Sequence, residues 1–237
     1  GVVAATWEIQ IAPARLIHDY TESAGVGAAM VNAALVAAIG LVLVRLNGIR
    51  ISGPTVAAVL TMLGFGLFGK SVVNVIPILF GVFVAAKIAG KGFAEYILIG
   101  LFGTALGPVI SAVAFEVIGG LAGSLAWIVP FVGAIGAGVV TGVLLPPVAI
   151  AMLRLHQGYS LYNIGLTSGF IAVFLAALLR ASGVDLSGIG IWNTGAGVVT
   201  TAIVPIVSAV CLIAGLALAG VGAVRDLPRI WRLSGRL

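Results

Sequence analysis

The sequence predicts an all-α, polytopic integral membrane protein, a bundle of about seven helical spans. Three observations support this fold class: composition, the length of the apolar runs and the sorting of charge. Of 237 residues, 61% are hydrophobic and only 8% are charged, whereas about 25% of the residues in a soluble domain are charged. The apolar runs approach the roughly 20 residues that cross a bilayer as a helix. Charge is too scarce to cover a soluble globule, so these runs are expected to lie in lipid.

The candidate spans follow one another with short polar connections, at about 26–46, 51–68, 72–90, 93–116, 124–153, 160–180 and 196–222. Together they make residues 24–222 the predicted transmembrane domain. Residues 1–23 are mixed in character and are expected to be an external or interfacial segment, either a surface helix or the end of a further span. Residues 223–237 form a basic tail. A membrane β-barrel is excluded because its strands would alternate in polarity.

Basic residues fall mainly on one side of this alternating topology. The side of the C-terminus receives Arg45, Arg50, Lys87, Lys91, Arg154, Arg225, Arg229, Arg232 and Arg236, and the other side receives Arg15 and Arg180. Because cytoplasmic loops are enriched in lysine and arginine, the sequence predicts a cytoplasmic C-terminus in a bacterial inner membrane. The basic residues are scattered over short loops, so no face suited to nucleic acid is expected.

A six-residue pattern, Gly-x-Ser-x-x-Asn, occurs twice, as GKSVVN at 69–74 and as GYSLYN at 158–163. Under the predicted topology the two copies start helices that run in opposite directions. This favours an inverted repeat of residues 51–117 and 135–222, with broken or re-entrant helices. A chance similarity is the alternative.

Breaks of this kind have a known use in transporters. Non-helical backbone within a membrane protein must be buried in protein or line a watery cavity, and paired breaks near the midplane form binding sites. The sequence therefore predicts a substrate path lined by Lys70, Ser71, Asn74, Pro77, Thr104, Tyr159, Ser160, Tyr162, Asn163 and Thr167. The simpler interpretation is that both asparagines bond neighbouring helices and that Lys70 extends its amine to the membrane surface.

The predicted function is a channel or transporter for a small polar solute, and the alternative is a non-transporting structural subunit of a larger membrane assembly. Neither function is enzymatic, and no metal or other cofactor is expected. Two histidines and one cysteine are too few for an ordinary metal or haem framework. The expected partners are the lipid bilayer, the solute, and either a second copy of the chain or a second related half.

Three strings resemble a bacterial family of multispanning membrane proteins that is labelled only as a domain of unknown function. They are FGKSVVNVIPILFGV, LFGTALGPVIS and GYSLYNIGLTSGFI. The resemblance runs from about residue 24 to the end and implies a longer protein with two related halves, of which this chain is similar to one. A fainter resemblance, to urea transporters, lies in the rhythm of GKSVVNVIPI, IGLFGTALGP and GYSLYNIG and implies a small, neutral or weakly charged solute.

Overall fold

The computed structural model describes residues 1–12, 18–111, 113, 128–157, 159, 163–181, 183, 198–230 and 232. Within these ranges the fold is all-α, as predicted, and the only β-type pairing is an isolated bridge between Asp19 and Phe68. The helices are α1 Val2–Ile11, α2 Tyr20–Ser23, α3 Val26–Leu46, α4 Gly53–Gly66, α5 Val72–Ile88, α6 Phe93–Gly103, α7 Gly107–Ser111, α8 Ile128–His156, α9 Asn163–Ala181, α10 Val198–Ala219 and α11 Gly222–Ile230, with a 3₁₀ segment at Thr104–Leu106.

The helices confirm a multi-pass membrane protein. In the described part of the chain, four segments are long and apolar enough to cross a bilayer: Val26–Leu46, Val132–His156, Asn163–Ala181 and Thr201–Ala219. Shorter apolar helices lie at Val2–Ile11, Gly53–Gly66, Val72–Ile88 and Phe93–Leu106. Each predicted span coincides with one of these helices except the fourth, which is divided. Its helix tightens to 3₁₀ at Thr104 and restarts at Gly107 beside Pro108.

Helices α5 and α8 cross closely because glycines face each other. A Cβ built on Gly81 would lie 2.8 Å from the Cα of Gly142 and would collide with the carbonyl oxygen of Val139. One turn away, Pro77 packs on Gly138 in the same manner. In lipid, small residues permit backbone contact and the dispersion energy that it brings. The apolar core beside this crossing includes Ile78, Val82, Leu106, Ile110, Leu145 and Ile171.

Helix α10 is at the other extreme. None of its most apolar 18-residue window is buried against the described parts of the chain, and Leu218 is 89% exposed. Its neighbour is the short α11. Exposing such an apolar helix to water would be unfavourable. The surface of α10 is therefore suited to lipid or to another membrane helix.

Candidate functional site

The turn between α4 and α5, residues 67–71, is where the polar side chains of the bundle gather. Glycine is required here because Gly69 has a φ of 77°, a left-handed conformation that side chains rarely adopt. The turn and the first turn of α5 are surrounded by side chains from α1, α3, the 3₁₀ segment and α7. We call this the turn cluster: Gln10, Asn32, Lys70, Ser71, Asn74, Thr104 and Ser111, each at most 7% exposed.

Asn32 of α3 anchors the turn from one side. Its Nδ2 donates to the carbonyl oxygens of Gly66 and Lys70, both at 2.7 Å. Its Oδ1 accepts from Nε2 of Gln10 at 2.9 Å. Oε1 of Gln10 in turn accepts the backbone N–H of Val72 at 2.9 Å. Since the first N–H groups of a helix have no partner within it, the glutamine of α1 caps α5.

Asn74 anchors the turn from within α5. Its Oδ1 accepts the N–H of Ser71 at 2.9 Å, and its Nδ2 donates to the Gly69 carbonyl and to Oγ of Ser111, both at 2.9 Å. The side chain fits because position 107 is glycine, where a Cβ would lie 2.5 Å from Oδ1 of Asn74. With the Leu67 carbonyl bonded by the N–H of Tyr20 at 3.1 Å, this buried turn has its backbone extensively paired, as apolar surroundings demand.

The side-chain amine of Lys70 has far fewer hydrogen-bond partners than the backbone groups around it. Its side chain is fully buried, Nζ donates to Oγ1 of Thr104 at 2.7 Å, and Nζ lies 4.9 Å from the ring centroid of Phe65. No carboxylate in the described part of the chain forms an ion pair with it. Burial lowers the pKa of this amine, which lies in the turn outside the helical segments, to about 7. The physical cause is the loss of hydration of the charged form.

Three buried hydroxyls have no hydrogen-bond partner among the described residues, and one of them is Oη of Tyr20 in α2. The other two are Oγ of Ser71, beside Lys70, and Oγ of Ser168 on α9. The 3₁₀ segment at Thr104–Leu106 contacts both α5 and α9. Unpartnered buried hydroxyls are uncommon, so both serines can still bond a small molecule or water.

The second copy of the pattern has different surroundings. Asn163 begins α9, is half-buried, and its Oδ1 lies 2.8 Å from Nε2 of His156. Its Nδ2 donates to the carbonyl of Ala149 at 3.1 Å. These partners belong to α8, whereas those of Asn74 belong to the turn and to α7. The two asparagines therefore bond separate sets of groups.

The other predicted path residues are divided between the interior and the surface. Thr167 is fully buried and donates to the Asn163 carbonyl at 2.9 Å. Pro77 is buried at the α5–α8 crossing, and Tyr159 is 66% exposed. Ser160 and Tyr162 lie outside the described residues. The structure thus brings Lys70, Ser71, Asn74 and Thr104 together and leaves Asn163 and Tyr159 apart from them.

Sequence reasoning missed Gln10, Asn32 and Ser111. Asn32 had a usable signal, because it is the one polar side chain in the apolar run VGAAMVNAALV. Gln10 and Ser111 had a weaker one, since both stand in segments already mixed in polarity. Within the described ranges, no group of three His, Cys, Asp or Glu side chains is placed to hold a metal, so the site offers neutral donors, acceptors and one amine.

Comparison with known protein families finds a match over most of the chain. The model of a family described as "Protein of unknown function (DUF1576)" matches residues 1–181. No curated protein matches the chain. No solved structure matches it either.

Proposed function

Because the chain belongs to the DUF1576 family, whose function is unknown, we propose its activity from the turn cluster: a channel or transporter for a small polar solute. The observation that carries the proposal is the fully buried amine of Lys70, bonded to Thr104 alone among the described polar side chains. The predicted inverted repeat and bacterial inner membrane location belong to the same proposal.

A buried lysine without a carboxylate is costly to keep. Desolvating an ammonium group costs several kcal/mol after relaxation, and even a neutral amine loses hydrogen bonds to water. An apolar side chain of similar volume at this position would fill the same space at equal or greater stability. Packing alone therefore does not explain the lysine. Ionisable groups inside membrane proteins are for this reason treated first as functional.

The side chains of the turn cluster have two different roles, which supports the same interpretation. Asn32 and Asn74 pair with the backbone of the turn, which holds its shape. That leaves the side chains of Lys70 and Ser71 to meet a solute. A protonated amine has three N–H donors, and the Thr104 hydroxyl accepts one of them. A small solute with oxygen acceptors would match the others.

The proposed path continues past the 3₁₀ segment toward α9. There, the buried Thr167 and the unpartnered hydroxyl of Ser168 supply further polar groups. A break in helical geometry between two polar faces is typical of transporter sites. In this proposal Thr104, rather than Asn163, is the point where the two halves of the path meet.

The test is solute flux into proteoliposomes, followed by light scattering with urea, glycerol, formate and methylammonium as separate probes. We expect the wild type to pass at least one probe above empty liposomes, and Lys70→Met to reduce that flux at least about tenfold, as expected for loss of one buried hydrogen-bonding group. Lys91→Met is the matched control because Lys91 is exposed and, among the described residues, forms an ion pair with Glu95 alone. Equal flux in both variants would contradict the proposal.

One observation favours the second candidate, a non-transporting subunit of a membrane assembly. The apolar surface of α10 makes little contact with the described chain, so a second copy or a related half could cover it. Cross-linking of a cysteine-free protein carrying Leu212→Cys in native membranes would test this. A cross-linked species together with no flux of any probe would favour the subunit over the transporter.

A further inference from the structure

An apolar groove lies on the outer surface of the bundle and shares no lining residue with the turn cluster. Its volume is about 260 Å³, and α3, α5 and α6 line it with Ile39, Leu43, Ile76, Leu79, Phe80, Phe83 and Phe93. Every one of these side chains is a hydrocarbon. Ile76 and Phe80 are about half exposed, so the groove opens sideways, where a membrane protein meets its lipids.

One end of the groove coincides with the ends of three helices. Leu43 lies in the last turn of α3, Phe83 lies near the end of α5, and Phe93 is the first residue of α6. Arg45 and Lys87 lie in the last turns of α3 and α5, and Arg50 and Lys91 lie in the loops that follow these helices. The groove therefore runs from the apolar middle of α5 to a rim that is rich in positive charge.

Lys87 connects this rim to the groove directly. Its Nζ lies 5.5 Å from the centroid of the Phe83 ring, which is itself part of the lining. Within the described residues, Lys87 forms no ion pair. Lys91 does pair with Glu95, at 3.6 Å, and this is the one carboxylate at these helix ends. The rim consequently keeps a net positive charge.

We propose that this groove binds an anionic phospholipid of the surrounding bilayer. One acyl chain would lie along Ile76, Phe80 and Phe83, and the phosphate would meet the ammonium group of Lys87. Basic residues beside intramembrane helices attract anionic lipid headgroups, while the hydrocarbon lining can hold only a chain without polar atoms. The hydrocarbon lining, with a basic rim at one end, matches a molecule that has an acyl chain and one charged headgroup.

The proposal is tested by native mass spectrometry of the purified full chain released from nanodiscs that contain equal amounts of phosphatidylglycerol and phosphatidylcholine. We expect retained phosphatidylglycerol on the wild type. Lys87→Gln should weaken its retention about fivefold, the factor that corresponds to the loss of one basic residue at an anionic surface. Lys87→Arg should restore it. Arg154→Gln, at the end of α8 and outside the groove lining, should leave it unchanged.

Filling the groove provides a second test, which depends on shape and not on charge. Ile76→Trp is suited to this because Ile76 is 49% exposed, so the larger ring can enter the groove without displacing the core. We expect it to remove the retained lipid. Equal retention of phosphatidylcholine, or unchanged retention of phosphatidylglycerol in Lys87→Gln, would overturn the proposal. So would a dimer lost in Ile76→Trp, since the groove would then hold a second copy.

Discussion

The two copies of Gly-x-Ser-x-x-Asn are the same in sequence order and differ in almost everything around them. Asn74 is 1% exposed and bonds to three groups, two in the turn and one in α7. Asn163 is half-buried and bonds to two groups of α8. The second residue of the first copy is the buried Lys70, and the second residue of the other copy is Tyr159, which is mostly exposed. The same pattern therefore begins a helix in both places, but only the first copy lies at the centre of a buried polar cluster.

The difference follows from what other elements contribute. The first copy is enclosed because α1 and α3 bring Gln10 and Asn32 to it. The second copy is met by the end of α8 and its histidine. A short pattern specifies a helix start, because glycine, serine and asparagine favour it locally. Whether that start becomes a binding site depends on distant residues.

The largest expected effect separates the two asparagines. Asn74→Leu should lower the free energy of unfolding by about 3 kcal/mol, because it leaves the Gly69 carbonyl, the Ser71 N–H and the Ser111 hydroxyl buried without this partner. Asn163→Leu should cost about 1 kcal/mol, since water can reach a half-buried site. Unfolding in detergent followed by circular dichroism would measure both. A greater loss from Asn163→Leu would reverse the comparison.

The next effect concerns the pH dependence of stability that Lys70, in the first copy, is expected to cause. Burial lowers the folded-state pKa of Lys70 from 10.5 to about 7, so between these values the unfolded chain binds more protons than the folded chain. Stability contributed by this group must then rise with pH through that window. From pH 7 to pH 9 we expect a gain of about 2 kcal/mol. Lys70→Met should lose this dependence, and an equal slope in that variant would contradict the assignment.

A smaller effect is expected where α5, which begins at the first copy, crosses α8, which ends before the second copy. Gly142→Ala should cost between about 1 and 2 kcal/mol, because its Cβ would meet the Ile78 carbonyl and lie 2.8 Å from the Cα of Gly81. Gly136→Ala is the control on the same helix, where nothing lies within 4 Å and the better helix propensity of alanine should stabilise slightly. Thermal unfolding of both variants in one detergent provides the measurement, and equal midpoints would count against close packing at this crossing.

The smallest effect tests the contribution of α1 to the first copy. Gln10→Leu removes the cap on the Val72 N–H and a partner of Asn32, and we expect a loss of about 1 kcal/mol. Hydrogen exchange should show faster exchange at Val72 and no change at the start of α9. Protection that stays the same at Val72 would mean that α1 does not cap α5.

The positions of the helices could be predicted well from the sequence, because each depends on a local run of apolar residues and on its breakers. The predicted limits of the first span, about 26–46, match α3 at Val26–Leu46. The fourth predicted span, about 93–116, is divided by the 3₁₀ segment at Thr104. The sequence also singled out Lys70, Ser71, Asn74 and Thr104 as polar groups within apolar sequence; they lie together in the turn cluster, and their role in a substrate path stays a prediction. The orientation, the inverted repeat and the transported solute stay predictions.

The sequence by itself determined that this chain is a multi-pass helical membrane protein and that its helix at residue 72 starts at a polar break. Only the tertiary structure decided that Gln10, Asn32 and Ser111 meet that break while Asn163 does not. The physical reason is the separation in sequence of the residues that interact. Helix formation and partition into lipid depend on neighbours a few residues apart, whereas Asn32 and Lys70 are 38 positions apart in sequence. Their contact requires α3, α4 and α5 to pack in one particular order.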